Sequence, residues 1–318
     1  MNKRKQVKDA YDAVLKAVGG NRITALEIVA KEFNIGYETA SRYLRKDSRG
    51  KKQNKRIGKR LLYIPDTQIK VDGTTEHIRA VARYALDKKP DYIVFAGDWH
   101  DMPSLSVFNT KKSSEGLRVY DDIRAGNDAL DEFMDIVNTM PKSRRPEIHI
   151  TLGNHSCKVR IERYLQSHPE LEGMLEDIGT AHFHKYGIKV HNFLDIAKVE
   201  GVAFSHYFAN PHSLKGSPVS GTIDNMIKNV GMSFVQGHQQ GLKMGKHYLG
   251  DGTCRIGISA GSFYPHDEDY ASVQANRHWR GCIMLNELDG QGGADICEIS
   301  LQYLMNNYGD QDEMVRLL

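Results

Sequence analysis

A chain of 318 residues, 40% hydrophobic and 26% charged, carries enough apolar material for one large α/β domain plus a small unit, and its composition excludes a fibrous or disordered class. No apolar run approaches the roughly 18 residues of a membrane span. The basic start MNKRKQVKDAYDAV lacks the apolar middle of a signal peptide, so the chain reads as cytoplasmic and without a membrane partner. The four cysteines, Cys157, Cys254, Cys282 and Cys297, are scattered, which argues against a disulfide scaffold or a zinc knot. Charge is uneven: residues 1–60 hold 17 Lys or Arg against 6 Asp or Glu, a net +11, which leaves −8 for the rest of a chain whose total is +3. A basic front end suits nucleic acid, and an acidic remainder suits bound cations.

In chain order, residues 1–47 read as a small all-α domain. QVKDAYDAVLKAV spaces Val7, Ala10, Tyr11, Val14, Leu15 and Val18 as one helical face, stopped by Gly19-Gly20. ALEIVAKEFN follows with Thr24 as the expected cap, Asn34-Ile35-Gly36 turns the chain, and YETASRYLRKD returns Ala40, Tyr43 and Leu44 to the same core. Two helices joined by a short turn, with Ala30 at the crossing, resemble a helix-turn-helix, in which Arg42 and Arg45 face outward. The alternative is a helical hairpin that packs on the larger domain or mediates assembly. Residues 48–60, with Lys51, Lys52, Lys55 and Arg56, lack apolar periodicity and read as a basic linker able to meet phosphates.

Residues 61–318 read as α/β. Strand Leu61–Ile64, a helix through Ile78, Val81, Ala82, Ala85 and Leu86, and strand Tyr92–Phe95 form a βαβ unit, so Asp66 and Asp98 belong at one carboxyl edge. A loop over 103–118 with Lys111 and Lys112, a long helix ended by Pro141, strand EIHITL and an interrupted helix over about 160–177 follow. The last third is a series of short strands, consistent with a second sheet facing the first.

Polar groups gather where strands end: Asp66-x-Gln68, Gly97-Asp98-x-x-Asp101, Gly153-Asn154-His155, His206 and Gly237-His238-x-Gln240. Carboxylate, amide and imidazole donors in this mixture suit two divalent cations sharing Asp98. His100, between Trp99 and Asp101, and His266, beside Asp267 and Asp269, are further candidates for the cleft; His77, His149, His182, His184, His191 and His247 read as structural or surface residues.

Over residues 60–290 these fragments resemble the calcineurin-like metallophosphoesterases, whose pattern is D-x-H, G-D-x-x-D, G-N-H-E/D, H and G-H-x-H. The resemblance implies two facing mixed sheets flanked by helices. It also implies one metal on Asp66, Gln68, Asp98 and Gln240, a second on Asp98, Asn154, His206 and His238, and His155 as the acid or transition-state stabiliser oriented by Asp101. Hydrolysis would proceed by in-line attack of an activated water on phosphorus.

Gln68 and Gln240 stand where the family has His. Glutamine oxygen is a harder and weaker ligand than imidazole, so manganese or magnesium is expected, with zinc or iron as alternatives. Ser156 replaces a common acid, and GDWHDM lacks the Arg-Gly of protein Ser/Thr phosphatases, which weighs against a phosphoprotein substrate. The expectation is a phosphodiesterase or nuclease acting on DNA. Its alternatives are hydrolysis of a small nucleotide-type ester and a DNA-binding scaffold with a degenerate metal site. A homo-oligomer is compatible with the helix-turn-helix reading, and nothing in the residues identifies its surface.

Overall fold

From Leu61 to Ile64 every residue is buried, and alternation sorts them by face. Leu61 and Tyr63 join Phe204, Val235, Ile256 and Ile258, whereas Leu62 and Ile64 join Ile78, Val81, Phe133 and Leu304. A strand buried on both faces has to lie in an inner layer. The computed structural model describes residues 3–19, 21–48, 58–106, 115–173, 178–268 and 272–310.

The chain divides into two compact units, Met1–Ile57 and Gly58–Leu318. The first contains α1 (Lys3–Ala17), α2 (Arg22–Glu32) and α3 (Tyr37–Ser48), with Leu26, Ala30 and Ala40 buried together and Tyr11, Ile35 and Leu44 packed on them. Asn21 rather than Thr24 caps α2. The helix starts earlier than expected, Asn21 is extended, and its Oδ1 accepts from the N–H groups of Ile23 and Thr24 at 3.2 and 3.3 Å. Asn34, left-handed at φ 48°, turns the chain towards α3. Arg42 and Arg45 belong to α3; Lys51, Lys52, Lys55 and Arg56 lie outside the described residues, as do Lys111 and Lys112.

The second unit runs β1 (Lys59–Ile64), α4 (Glu76–Lys88), β2 (Tyr92–Phe95), α5 (Val119–Asn138), β3 (Glu147–Thr151), α6 (Cys157–Ser167), α7 (Ile178–Lys185) and β4 (Lys189–His191). It continues through β5 (Ala197–Val199), β6 (Val202–Ser205), α8 (Ile223–Val230), β7 (Phe234–Gln236), β8 (Leu242–Tyr248), β9 (Cys254–Ala260), α9 (Val273–Asn276), β10 (Gly281–Leu288), β11 (Asp295–Ser300) and α10 (Leu301–Tyr308).

The six-stranded sheet has the order β11-β10-β1-β2-β3-β4, parallel from β1 to β4 with β10 and β11 antiparallel at one side. The five-stranded sheet has the order β5-β6-β7-β9-β8, with β6, β7 and β9 parallel. Tyr63, Val94, Phe204, Val235, Ile258 and Ile283 fill the space between the sheets. On the far side of the first sheet α4, α5 and α10 pack, and α8 covers the second. Two mixed sheets face one another between helices, a sandwich. The interrupted helix is shorter than expected: α6 stops at Ser167, because Pro169 opens a separate 3-10 turn, Pro169–Leu171.

Candidate metal centre and adjoining cleft

Because β1, β2 and β3 are parallel neighbours, the loops that leave them emerge side by side. Asp66 and Gln68 follow β1, Asp98 and Asp101 follow β2, and Asn154 and His155 follow β3. His206 follows β6 and His238 follows β7, also parallel neighbours, and the facing of the sheets brings both loop sets to one end of the sandwich. Hydrogen bonds tie these loops together. Gln68 N–H donates to Asp98 C=O at 2.8 Å, Phe263 N–H to Asp66 C=O at 2.8 Å, and Gly237 N–H to His206 C=O at 2.9 Å.

Asp66, Asp98 and His206 are buried, and each offers a ligand atom within 4.8 Å of the other two. Asp66 accepts the His238 N–H at 3.1 and 3.3 Å, and Asp98 Oδ1 accepts the His155 N–H at 2.7 Å. Burial first, and the Asp98 charge second, push the Asp66 carboxyl well above the usual carboxylate range. Two desolvated carboxylates at this range require either a proton or a cation.

The donor set fits a cation. His206 Nδ1 lies 2.9 Å from the Ala96 C=O, which only accepts, so the neutral ring carries its proton on Nδ1. Burial lowers the His206 pKa and keeps the ring neutral. Its Nε2 lone pair then meets Asn154 Oδ1 at 2.9 Å and Asp98 Oδ2 at 3.4 Å, an all-acceptor contact that a divalent ion resolves. Gln68 Oε1 is buried with no hydrogen-bond partner.

Backbone strain concentrates in the same place. Gln68, Asp98 and His238 are left-handed, at φ 43°, 42° and 62°, a conformation that costs a non-glycine residue about 1–2 kcal/mol. Gly153 is required by close approach: a Cβ there would collide with Asp98 Oδ1 and lie 2.7 Å from His206 Cε1. The candidate divalent site on Asp66, Asp98 and His206 is therefore supported by chemistry as well as proximity.

Gln240 is exposed and donates through Nε2 to the Tyr264 hydroxyl at 2.8 Å, so its oxygen is the atom it would offer a cation. His238 packs against His206 with ring centroids 5.1 Å apart, and burial first, then the electrostatic influence of the neighbouring His206, lower its pKa to about 4. His155 Nδ1 lies 2.8 Å from Asp101 Oδ1, so the carboxylate orients the ring and the proton sits on Nδ1. Burial raises the Asp101 pKa, but the His155 hydrogen bond and the charges of His155, Lys70 and Arg160 outweigh it and hold the group below its ordinary value. Lys70 bridges outward, 3.6 Å from Asp101 and 3.1 Å from Glu268.

Beside this centre lies a cleft of about 790 Å³, lined by Asn154, His155, His238, Tyr207, Ser104, by Arg160, Arg163 and Tyr164 from α6, and by His168 just after it. Sequence reasoning missed Arg160, Arg163 and Tyr207. Their signal was position: the two arginines follow His155 on the first turns of the next helix, and Tyr207 adjoins His206.

His100 does not join the cleft. It is buried near Phe183 and so close to Gly126 of α5 that a Cβ on that glycine would collide with its ring; burial first lowers its pKa to about 4. His266 pairs with Glu268 at 2.8 Å. Of the histidines read as structural, His149 and His191 stack with centroids 5.3 Å apart on β3 and β4, and His182 bonds Asp131 at 2.7 Å. Among the described residues no helix is long and apolar enough to cross a membrane.

No family model matches this chain, and no curated protein matches it in sequence. Among solved structures, the crystal structure of TT1561 of Thermus thermophilus aligns with 77% of this chain and 99% of its own, at 11% identity and a TM-score of 0.35. Likeness at that level transfers neither site nor activity, and the case for function rests on the residues themselves.

Proposed function

We propose that this protein is a metal-dependent phosphoesterase of the calcineurin-like type, most concretely a phosphodiesterase or nuclease acting on DNA. The observation that carries the reading is the set of ligand atoms on Asp66, Asp98 and His206, all within 4.8 Å of one another, with Asn154 Oδ1 2.9 Å from His206 Nε2, beside a cleft containing His155. When bound, two divalent cations supply charge neutralisation at phosphorus and acidify a water near neutral pH.

The chain's own residues do the rest. Asp66, Gln68, Asp98 and Gln240 hold one cation and Asp98, Asn154, His206 and His238 the other, with manganese or magnesium favoured by the glutamine oxygens. Asp101 fixes the His155 ring by its Nδ1–H and leaves Nε2 to serve the cleft; when the ring also carries a proton on Nε2, it passes that proton to the leaving oxygen and returns to the neutral form. Residues 1–47, read as a helix-turn-helix with Arg42 and Arg45, and the basic segment containing Lys51, Lys52, Lys55 and Arg56 deliver the enzyme to nucleic acid, alone or as a homo-oligomer.

A screen of manganese-dependent hydrolysis across single-stranded DNA, duplex DNA and a chromogenic phosphodiester tests the reading. Turnover that a chelator abolishes and manganese restores is expected. No turnover on any of the three, in protein that binds manganese, would sink it.

A further inference from the structure

Arg160 is out of place for a surface arginine. It sits on α6, one turn beyond His155, and only 6% of it is exposed. It lines the cleft with Asn154 and His155, yet its Nε has no hydrogen-bond partner, and among the described residues its guanidinium makes no ion pair. Asp98 and Asp101 act on its charge from beyond contact, while burial pushes its pKa down.

A guanidinium carries five donors in a planar fork and is costly to bury without acceptors. A tetrahedral oxyanion in the cleft would satisfy it in the bidentate manner that favours arginine over lysine. The N-terminus of α6, which begins directly after Asn154-His155-Ser156, turns its positive end towards the same place.

Arg163 lies three residues further along α6, about 5 Å on by helical spacing. It is exposed, lines the same cleft, and sits 5.7 Å from the Phe193 ring centroid. Next to it Tyr164 and His168 stack with centroids 4.1 Å apart and planes within 11°, a flat face of the kind on which bases lie.

We propose that Arg160 is the anion-binding residue of the cleft, taking the non-bridging oxygens of the phosphate held beside Asn154 and His155. Arg163 takes the neighbouring phosphate of a single-stranded polynucleotide whose flanking base lies against Tyr164 and His168. This deepens the phosphoesterase reading and rests on it for the phosphate's position. The competing role for Arg160 is that of a counter-ion that merely neutralises Asp98 and Asp101.

The test uses the full chain loaded with calcium, so that binding is read without turnover: inorganic phosphate by calorimetry, a short oligothymidylate by fluorescence anisotropy, and metal stoichiometry alongside. Arg160→Gln should weaken phosphate at least about tenfold with metal stoichiometry unchanged, and Arg160→Lys, which keeps the charge but loses the fork, should fall between it and the parent. Arg163→Gln should leave phosphate within about twofold, weaken oligothymidylate several-fold and lower the salt slope by about one.

Phosphate affinity unaltered in Arg160→Gln, or no phosphate binding by the parent, overturns the assignment. So does a metal stoichiometry changed in Arg160→Gln but restored in Arg160→Lys, which keeps the charge and so marks the counter-ion role, and oligothymidylate affinity unaltered in Arg163→Gln overturns the polynucleotide path. If Arg160→Gln does not fold, Arg160→Lys carries the measurement, and parent-like phosphate affinity there counts against the fork. Arg160-dependent phosphate binding in a protein that hydrolyses no ester would leave this inference standing while the proposed activity fell.

Discussion

The six-stranded sheet brings carboxylates and amides to the centre, Asp66, Gln68, Asp98 and Asn154, whereas the five-stranded sheet brings two imidazoles and the exposed Gln240. The first set is charged or strongly polar and mostly buried, and it is restrained from across the gap: Asp66 accepts the His238 N–H, and the Ala96 C=O after β2 accepts from His206. Neither sheet therefore holds a complete site. The centre exists only while the two faces pack, which couples its chemistry to the apolar layer of Tyr63, Val94, Phe204 and Val235.

The most direct way to break that coupling is at the ligand both proposed metals share. Asp98→Ala is expected to lower manganese-dependent hydrolysis of a chromogenic phosphodiester by at least about 1000-fold, about 4 kcal/mol in the barrier. Activity within about tenfold of the parent would remove Asp98 from the bridging role. Between the sheets, Phe204→Ala should cost about 3–5 kcal/mol in urea unfolding and weaken metal binding as well. Its control, Leu304→Ala, on the buried side of α10 at the far face, should cost about 2–5 kcal/mol while leaving metal affinity in the folded protein unchanged. Equal effects of the two on metal binding would show the coupling to be unspecific.

Asp101→Asn is expected to lower the hydrolysis rate by roughly 10–100-fold, as when a residue that orients another is lost. It also carries a pH signature. Because the folded Asp101 pKa is depressed, the group adds stability above its unfolded pKa, near 4, and that stability is lost as pH falls through the folded value. The variant should lose stability relative to the parent at neutral pH, and the gap should close in acid; a gap that stays constant from about pH 7 to about pH 3 contradicts the assignment. The smallest effect is expected at the exposed edge, where Gln240→His should tighten the weaker cation several-fold in a calorimetric titration. Unchanged affinity would mean that Gln240 is not a ligand.

Much of this was readable before folding was considered. The uninterrupted run Tyr92–Phe95 predicts a strand buried on both faces, and the Gly-Asp that ends it predicts a polar group at the sheet edge, because the backbone must turn there and glycine tolerates that turn: Gly97 has φ 97°, and a Cβ would collide with the Thr151 carbonyl. Other elements were not readable. The polar alternation of β8, half of it exposed at a sheet edge, carries little apolar signal, and α8 is eight residues long with only Met226 and Ile227 buried. His100 sits inside a ligand motif, and nothing local distinguishes it from its neighbours; only the approach of Gly126 on α5 shows that its ring belongs to the core.

The sequence by itself determined the α/β class, the order of the strand ends and the residue types at each, because periodicity and turn chemistry are local properties of the chain. Tertiary structure decided which of those ends meet. The parallel order β1-β2-β3 aligns Asp66, Asp98 and Asn154, and the facing of the second sheet sets His206 against them. It also decided that Arg160, an unremarked helix residue in the sequence, is buried beside His155 with its Nε unmet. Burial and long-range pairing depend on contacts between segments far apart in the chain, such as Asn154 and His206, and no short window of sequence contains both partners.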